Sequence, residues 1–412
     1  MSNRLLRRFQ SWRYWFSQRP DCTSRQVKAP VDVDHRTSPH ALLADIADRC
    51  TECGACVQSC AFLQRYGTPK AIAAEYDSRL PSHRERAFAC SLCGLCTAVC
   101  PERLDPCRLF LALRHWHAAD DSFTLRPYRR LLAYEALGRS ALFAWHGMPP
   151  GCDTVFFPGC ALPGARPKTT MEMYRQLRRL LPSVGIVLDC CTKPSHDLGR
   201  EAFFEAAFFR LRDRLLETGI RTVLTACPNC TNIFRQYGEG LAVRTVWEVL
   251  HAGGIGPDRS RFERMEVCVH DPCPLRDDHQ SQAAVRGLLT DWGYTVVEMT
   301  HRGKQTVCCG EGGAVGCIDP DLAGTWTDLR AREADNRLLV ASCSGCVVML
   351  NRQTPTVHLA DLLSRPDAVG SGKSLAARPP FTYWHRLLLK FRLIRELRCA
   401  TKPSRPSTPH PD

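Results

Sequence analysis

TVFFPGC at 154–160, VGIVLDCC at 184–191 and RTVLTACPNC at 221–230 are three short apolar runs, each closing on cysteine. Farther along, MEVCVHDPC at 265–273, TVCCGEGG at 306–313 and LLVASCSGC at 338–346 repeat the series. The cysteine offsets are 30, 37 and 3 residues in the first copy and 35, 35 and 3 in the second. Agreement of this kind marks an internal repeat. The runs around 168–181 and 200–217 have helical periodicity, so each copy reads strand, helix, strand, helix, strand. That alternation implies a parallel sheet with helices on its faces, an α/β fold. Ligands in such sheets gather at the carboxyl ends of the strands, where every cysteine group of the repeat is expected to lie. Each copy therefore collects five thiols at one rim: Cys160, Cys190, Cys191, Cys227 and Cys230, then Cys273, Cys308, Cys309, Cys343 and Cys346. Five exceeds the four that zinc or a cubane cluster takes. An adjacent Cys-Cys pair suits two irons of a larger or opened cluster better than one metal.

Ahead of the repeat, Cys50, Cys53, Cys56 and Cys60 form C-x2-C-x2-C-x3-C, and Cys90, Cys93, Cys96 and Cys100 form it again, with Pro101 following. Two such runs are the pattern of a small helical two-cluster ferredoxin, whose fourth cysteine ligates the other cluster. The expected sets are Cys50, Cys53, Cys56 and Cys100 on one [4Fe-4S] cubane, and Cys90, Cys93, Cys96 and Cys60 on the other. Zinc knuckles are the alternative, but they come as two separated CxxC pairs rather than four cysteines in eleven residues. Ala61 stands where proline usually follows the first run. Six of the 24 cysteines remain: Cys22, Cys107, Cys152, Cys268, Cys317 and Cys399 read as incidental thiols.

The chain has 412 residues and a net charge of +13, which is concentrated at its ends. Residues 1–40 carry +5 and residues 373–412 carry +7, leaving a body of +1, which excludes a nucleic-acid-binding core. Leu5, Leu6, Phe9, Trp12, Trp15 and Phe16, interleaved with arginines, predict a short basic amphipathic helix suited to an anionic membrane face. Trp384, Leu387, Leu388, Phe391 and Ile394 repeat that character near the C-terminus. Solvated tails, or docking on a partner protein, are the plainer alternatives. No uncharged apolar run approaches the roughly 18 residues of a membrane span. The expected organisation is a basic segment 1–40, a dicluster domain 41–118, a linker 119–150, cysteine-rich domains 151–255 and 256–366, and a basic tail 367–412. Neither GxGxxG nor GxxxxGK(S/T) follows a strand, so no flavin, nicotinamide or nucleotide site is expected.

On FFPGC, HDPC, CCGEGG, the two CxxC pairs and the dicluster block, the chain resembles the heterodisulfide reductase superfamily over roughly residues 41–365. Its layout is that of the membrane-associated D subunit. It is similar also to the glycolate oxidase iron–sulfur subunit and the anaerobic glycerol-3-phosphate dehydrogenase C subunit. The resemblance implies a noncubane [4Fe-4S] cluster on each five-cysteine set, with a disulfide reduced or formed between them. Cys273, Cys308, Cys309, Cys343 and Cys346 would then be catalytic, with His270 a candidate donor of a proton or hydrogen bond. Thr192 stands where the glycine of the motif belongs in the first copy, which leaves that cluster's type open. The implied partners are a quinone-reactive membrane cytochrome, a flavoprotein, or both. The implied location is cytoplasmic, peripheral on the inner membrane face. The alternative function is an electron relay between a glycolate-, lactate- or glycerol-3-phosphate-type flavoprotein and the quinone pool.

Overall fold

Two small sheets of the same strand order carry the cysteines, in a computed structural model that describes residues 38–120, 123–257, 265–364, 369 and 376–400. The N-terminal basic segment, and with it the expected helix of residues 1–20, lies outside the described residues.

The first sheet runs β1 (Trp145–Gly147), β3 (Gly185–Leu188), β2 (Thr154–Phe157), β4 (Thr222–Thr225), β5 (Ala242–Thr245). The second runs β7 (Thr295–Val297), β6 (Glu266–His270), β8 (Leu338–Ala341), β9 (Thr356–His358). All pairs are parallel except β1 with β3, where Trp145 faces Leu188 across an antiparallel edge. Strand β1 and the helix Arg129–Arg139 both come from the segment expected to be a linker. Without β1 the two sheets share one order, in which the first strand of each copy lies between the second and the third. The connections from the neighbouring strands β2 and β4, and from β6 and β8, run to opposite sides, and the crevice so opened at their carboxyl ends is where α/β sheets hold ligands.

Both faces of each sheet are covered. In β2, Phe156 points into one buried cluster while Val155 and Phe157 point into another. In β6, Val267 and Val269 join the first cluster while Cys268 turns the opposite way. The helix Glu201–Glu217 buries Phe204, Phe208, Leu211 and Leu215, the stripe that its period demanded. The two repeats share one core, in which Trp247 and Leu250 of the first meet Leu288, Leu289 and Trp292 of the second. A buried ion pair, Arg166 Nε to Asp361 Oδ2 at 2.7 Å, ties them further. The helix Phe381–Ala400 packs Leu389, Leu393 and Leu397 onto this core, and Lys390 Nζ donates to the carbonyls of Ala141, Leu142 and Ala144.

The dicluster region is helical: Pro39–Arg49, Ala61–Tyr66, Pro69–Ala74, Pro81–Ala89, Leu95–Ala98 and Pro106–Ala118. Proline stands in the first turn of four of these, and Thr68 and Asp105 cap theirs by accepting from Ala71 N and Arg108 N. Phe62, Phe110, Leu109 and Leu113 fill its centre. Val315, Leu322 and Trp326 of the second repeat belong to the same cluster, so the two regions share packed surface.

Candidate iron–sulfur centres

The dicluster cysteines gather in the crossed pattern. Burial and then the neighbouring Cys50 push the Cys56 thiol up to about 11, with Cys53 and Cys100 adding to it. Burial and then Cys93 push Cys60 up to about 12. Cys96 is raised by burial and by its neighbours Cys107, Cys90, Cys93 and Cys60. Thus Cys100 sits with the first run and Cys60 with the second. Thiols crowded this closely resist ionisation until a cation takes the proton's place. Cys107, read from sequence as incidental, is after burial the chief cause that raises the thiols of both Cys90 and Cys96.

In the repeat, the Sγ atoms of Cys191 and Cys230 are 3.3 Å apart, and Cys160 contacts Cys190. In the second set Cys309 and Cys346 are 3.1 Å apart, and Cys308 contacts both Cys273 and Cys309. Contacts with Cys230 and Cys343 hold the Cys227 thiol well below its ordinary value, so the two sets meet at Cys227 and Cys343. Cys160, Cys190 and Cys227 from one repeat and Cys273 and Cys343 from the other line a cavity of about 230 Å³. Glu311 reaches it too, its carboxyl pushed up to about 7 by burial and then by Cys227 and Cys308. Lys193 and Asp197 form an ion pair on its wall.

One sequence expectation is corrected here. Cys190 follows β3 by two residues, but β7 ends at Val297, far short of Cys308. Residues 306–309 are drawn off the sheet by other bonds. Thr306 Oγ1 donates to Asp271 O at 2.7 Å, Arg276 Nη2 donates to Thr306 O at 3.0 Å, and Thr327 Oγ1 donates to Cys309 O at 2.9 Å. The inserted loop carries His301, which pairs with Ser59 and Glu333 and is structural. His196 is likewise held by Asp197 Oδ1 and the Tyr237 hydroxyl.

The glycines of CCGEGG serve two purposes. The Gly310 amide donates to Cys308 Sγ at 3.3 Å. A Cβ on Gly312 would lie 2.5 Å from Ser91 O, and one on Gly313 would lie 2.5 Å from Cys90 O. These two therefore admit the dicluster loop as well as approaching the thiols. Thr192, in the glycine place of the first copy, adopts the left-handed φ of 56° where Gly310 has 96°. The loop keeps its course at a cost of about 1–2 kcal/mol.

The dicluster region meets the second repeat at Cys93, whose largest charged neighbour is Cys308. Two buried arginines that the sequence reading did not single out fasten this junction. Arg276 donates from Nε and Nη2 to Cys93 O at 3.2 and 2.7 Å. Arg114 uses all five N–H groups on carbonyls: Ala87 at 3.0 Å, Phe88 at 3.0 Å, Cys90 at 2.5 Å, Asp197 at 2.7 Å and Gly313 at 3.0 Å. It thereby joins the dicluster loop to both repeats. Its signal was present, since it falls four residues after Phe110 on the stripe that buries Leu109 and Leu113.

His270 lies in the wall of the second set. One of its ring nitrogens and the Sγ atoms of Cys309 and Cys346 all lie within 4.8 Å of one another. Burial, then Arg330, push its imidazole down to about 3, so it is neutral. Neither ring nitrogen has a hydrogen-bond partner, although the residue is 1% exposed. Such groups cost about 1–3 kcal/mol each when left unpaired. Converging soft thiols with an unpaired imidazole beside them fit iron–sulfur clusters well.

The comparisons agree with this chemistry. Residues 49–105 match the 4Fe-4S dicluster domain, and residues 154–235 and 267–351 each match the cysteine-rich domain. The chain thus joins a dicluster domain to two cysteine-rich domains. It is related to the D subunit of heterodisulfide reductase. It is 27% identical over 348 residues to the B subunit of the CoM/CoB fumarate reductase of Methanothermobacter marburgensis, covering 76% of this chain and 69% of that one. It is 24% identical over 304 residues to the D subunit of the dihydromethanophenazine:CoB–CoM heterodisulfide reductase of Methanosarcina barkeri, covering 65% and 73%. It is 27% identical over 174 residues to a probable membrane-anchored ferredoxin of Chromohalobacter salexigens, covering 38% and 26%. Among the described residues, no helix is long and apolar enough to cross a membrane.

Proposed function

We propose that this chain is an oxidoreductase subunit that reduces or forms a disulfide in the cavity shared by its two cysteine-rich domains. The observation that carries the reading is one cavity lined by all five cysteines of the first set and by Cys273 and Cys343 of the second, with Cys227 against Cys343. A lone relay needs one line of donors, not thiols of two sets turned onto one cavity. Iron–sulfur clusters bound on these thiols would supply one-electron transfer and iron able to take a substrate sulfur. Reduction of a disulfide takes two electrons and two protons and yields two thiols. The electrons come from a flavoprotein or a membrane cytochrome partner and the protons from solvent, and formation of a disulfide runs the same balance backwards. The relative named as a subunit of CoB–CoM heterodisulfide reductase belongs to an enzyme that reduces a disulfide, which supports the class.

Within the chain, Arg114 and Arg276 hold the Cys90–Cys93 loop against Cys308. The assignments follow the sequence reading: Cys50, Cys53, Cys56 and Cys100 for one cubane, Cys60, Cys90, Cys93 and Cys96 for the other, and the two sets of five for the repeat. The domain limits are carried forward as part of this proposal, with β1 and the helix Arg129–Arg139 of 119–150 joined to the first cysteine-rich domain. The relay reading is the rival, and the nearness of Cys93 to Cys308 serves it equally.

The test is EPR after adding a thiol or disulfide, with a chemical reductant that bypasses the dicluster region. Cys309→Ser should lose the substrate-dependent signal and Cys93→Ser should keep it. Equal responses, or no signal in wild type with any thiol, would put the relay reading first. We place the protein on the inner membrane face, held by its basic ends and a partner. The exposed Phe381, Trp384 and Phe391 beside Arg392 and Arg395 support this. Removal of residues 1–20 should release it from anionic vesicles, and unchanged binding would refute that segment's part.

A further inference from the structure

The two repeats present the same five thiols, yet their surroundings differ in one respect. In the first, Phe157 ends β2 three residues before Cys160. It is fully buried, in one apolar cluster with Cys191, Cys230, Phe204, Phe208 and Phe234. In the second, the same place at the end of β6, three residues before Cys273, is taken by His270. It lies close to Cys309 and Cys346, the counterparts of Cys191 and Cys230, with both ring nitrogens unpartnered. Behind it stands Arg330, fully buried. Its Nη1 donates to His301 O and to Glu333 and its Nη2 to the Met299 sulfur, while its Nε has no partner. Met299 shares one buried cluster with Cys309 and Cys346, which sets the guanidinium at the edge of the second site. Where one site is walled by phenyl rings, the other is walled by nitrogen donors kept dry.

An imidazole carries at least one N–H in either protonation state, so it always has a hydrogen to give. The Cys309 and Cys346 sulfurs lie within 4.8 Å of one ring nitrogen but do not accept from it, so the acceptor would be a sulfur of the bound cluster. A hydrogen bond to a cluster's sulfur, and a cation nearby, stabilise the added electron and raise the reduction potential.

We propose that His270 donates a hydrogen bond to sulfur of the second repeat's cluster, with Arg330 behind it, and makes that site the higher-potential one of the pair. This rests on the reading that the second five-cysteine set holds an iron–sulfur cluster. The repeat is then polarised: an electron entering beside Cys93 and Cys308 comes to rest in the second site, and the first site is the poorer acceptor. His270 acts here as a positioning and tuning residue, through the cluster sulfur.

The test is an anaerobic redox titration followed by EPR, with iron analysis of each sample. His270→Phe copies the first repeat. It should keep its iron, and the second site's oxidised-to-reduced ratio at fixed potential should rise at least tenfold, about 59 mV for one electron. His270→Gln, which keeps an N–H donor, should return most of the shift. Phe157→His should raise the first site's potential. Full iron content with an unmoved potential in His270→Phe would overturn the proposal. Loss of iron from His270→Gln would make the imidazole a ligand and overturn the hydrogen-bond assignment. If Cys309→Ser loses neither iron nor signal, the second set holds no cluster, and the underlying reading fails separately from the role of His270.

Discussion

Replacing Arg114 by methionine should loosen the dicluster region from the repeats. The guanidinium is 0% exposed and all five of its N–H groups are committed to carbonyls of three separate segments. It also lies 5.1 Å from the Phe88 ring centre. Methionine replaces the side chain's bulk but none of the donors. The Cys90, Gly313 and Asp197 carbonyls would be left buried and unpaired unless the junction opens to water. Removing one partner of a buried charged network costs roughly 3–5 kcal/mol. Taking about 4 kcal/mol, and about 1.4 kcal/mol per tenfold, local opening should become about a thousandfold more frequent. Hydrogen exchange read by mass spectrometry would show it as lost protection in 106–118 and 311–317, with the sheets of the repeats little changed. Arg114→Lys, with three donors for five acceptors, should fall between. Protection in Arg114→Met within tenfold of wild type would refute the view that this residue is the clamp.

Further outcomes follow from single features. Reconstituted protein should hold about sixteen irons and Cys93→Ser about twelve, and a wild-type value near eight would confine clusters to the dicluster region. Thr192→Gly should stabilise the metal-free fold by about 1 kcal/mol by relieving its left-handed strain, read from the urea midpoint. Gly310→Ala should destabilise it by about 3 kcal/mol, since its Cβ would meet Ala323 O at 2.5 Å. Burial raises Cys56 to about 11 and Cys60 to about 12 from 9.0 in the metal-free protein. A thiol whose folded pKa is raised favours the fold fully below pH 9 and loses that contribution progressively as pH climbs from about 9 to its folded value. Metal-free protein should therefore unfold more readily in that window, and a flat urea midpoint from pH 8 to 11 would contradict it.

The cysteine pattern determined much by itself. Ligand spacing is a local property: a C-x2-C-x2-C loop must wrap a cluster face wherever it occurs, and a thiol after a parallel strand must sit at the sheet's ligand-binding rim. The repeat was legible for the same reason, since two copies of one period need no knowledge of their packing. The helix of 201–217 was equally plain, because its buried stripe is a matter of phase. What remained hidden depends on contacts distant in sequence. Cys308 and Cys309 looked like a strand's end because Thr306 and Val307 are β-branched, but Asp271, Arg276 and Thr327 pull that segment off the sheet. Residues 129–147 looked like a linker because the antiparallel edge strand is only three residues long and is defined by its partner β3. The place of Arg114 on a buried stripe was readable but its partners were not, since no single-chain pattern reveals that five carbonyls from three segments will converge on one guanidinium. The difference between Phe157 and His270 could be read off the aligned copies. That His270 stands unpaired beside two thiols, where phenyl rings close the sister site, was decided only when the second sheet and the helix bearing Arg330 packed together.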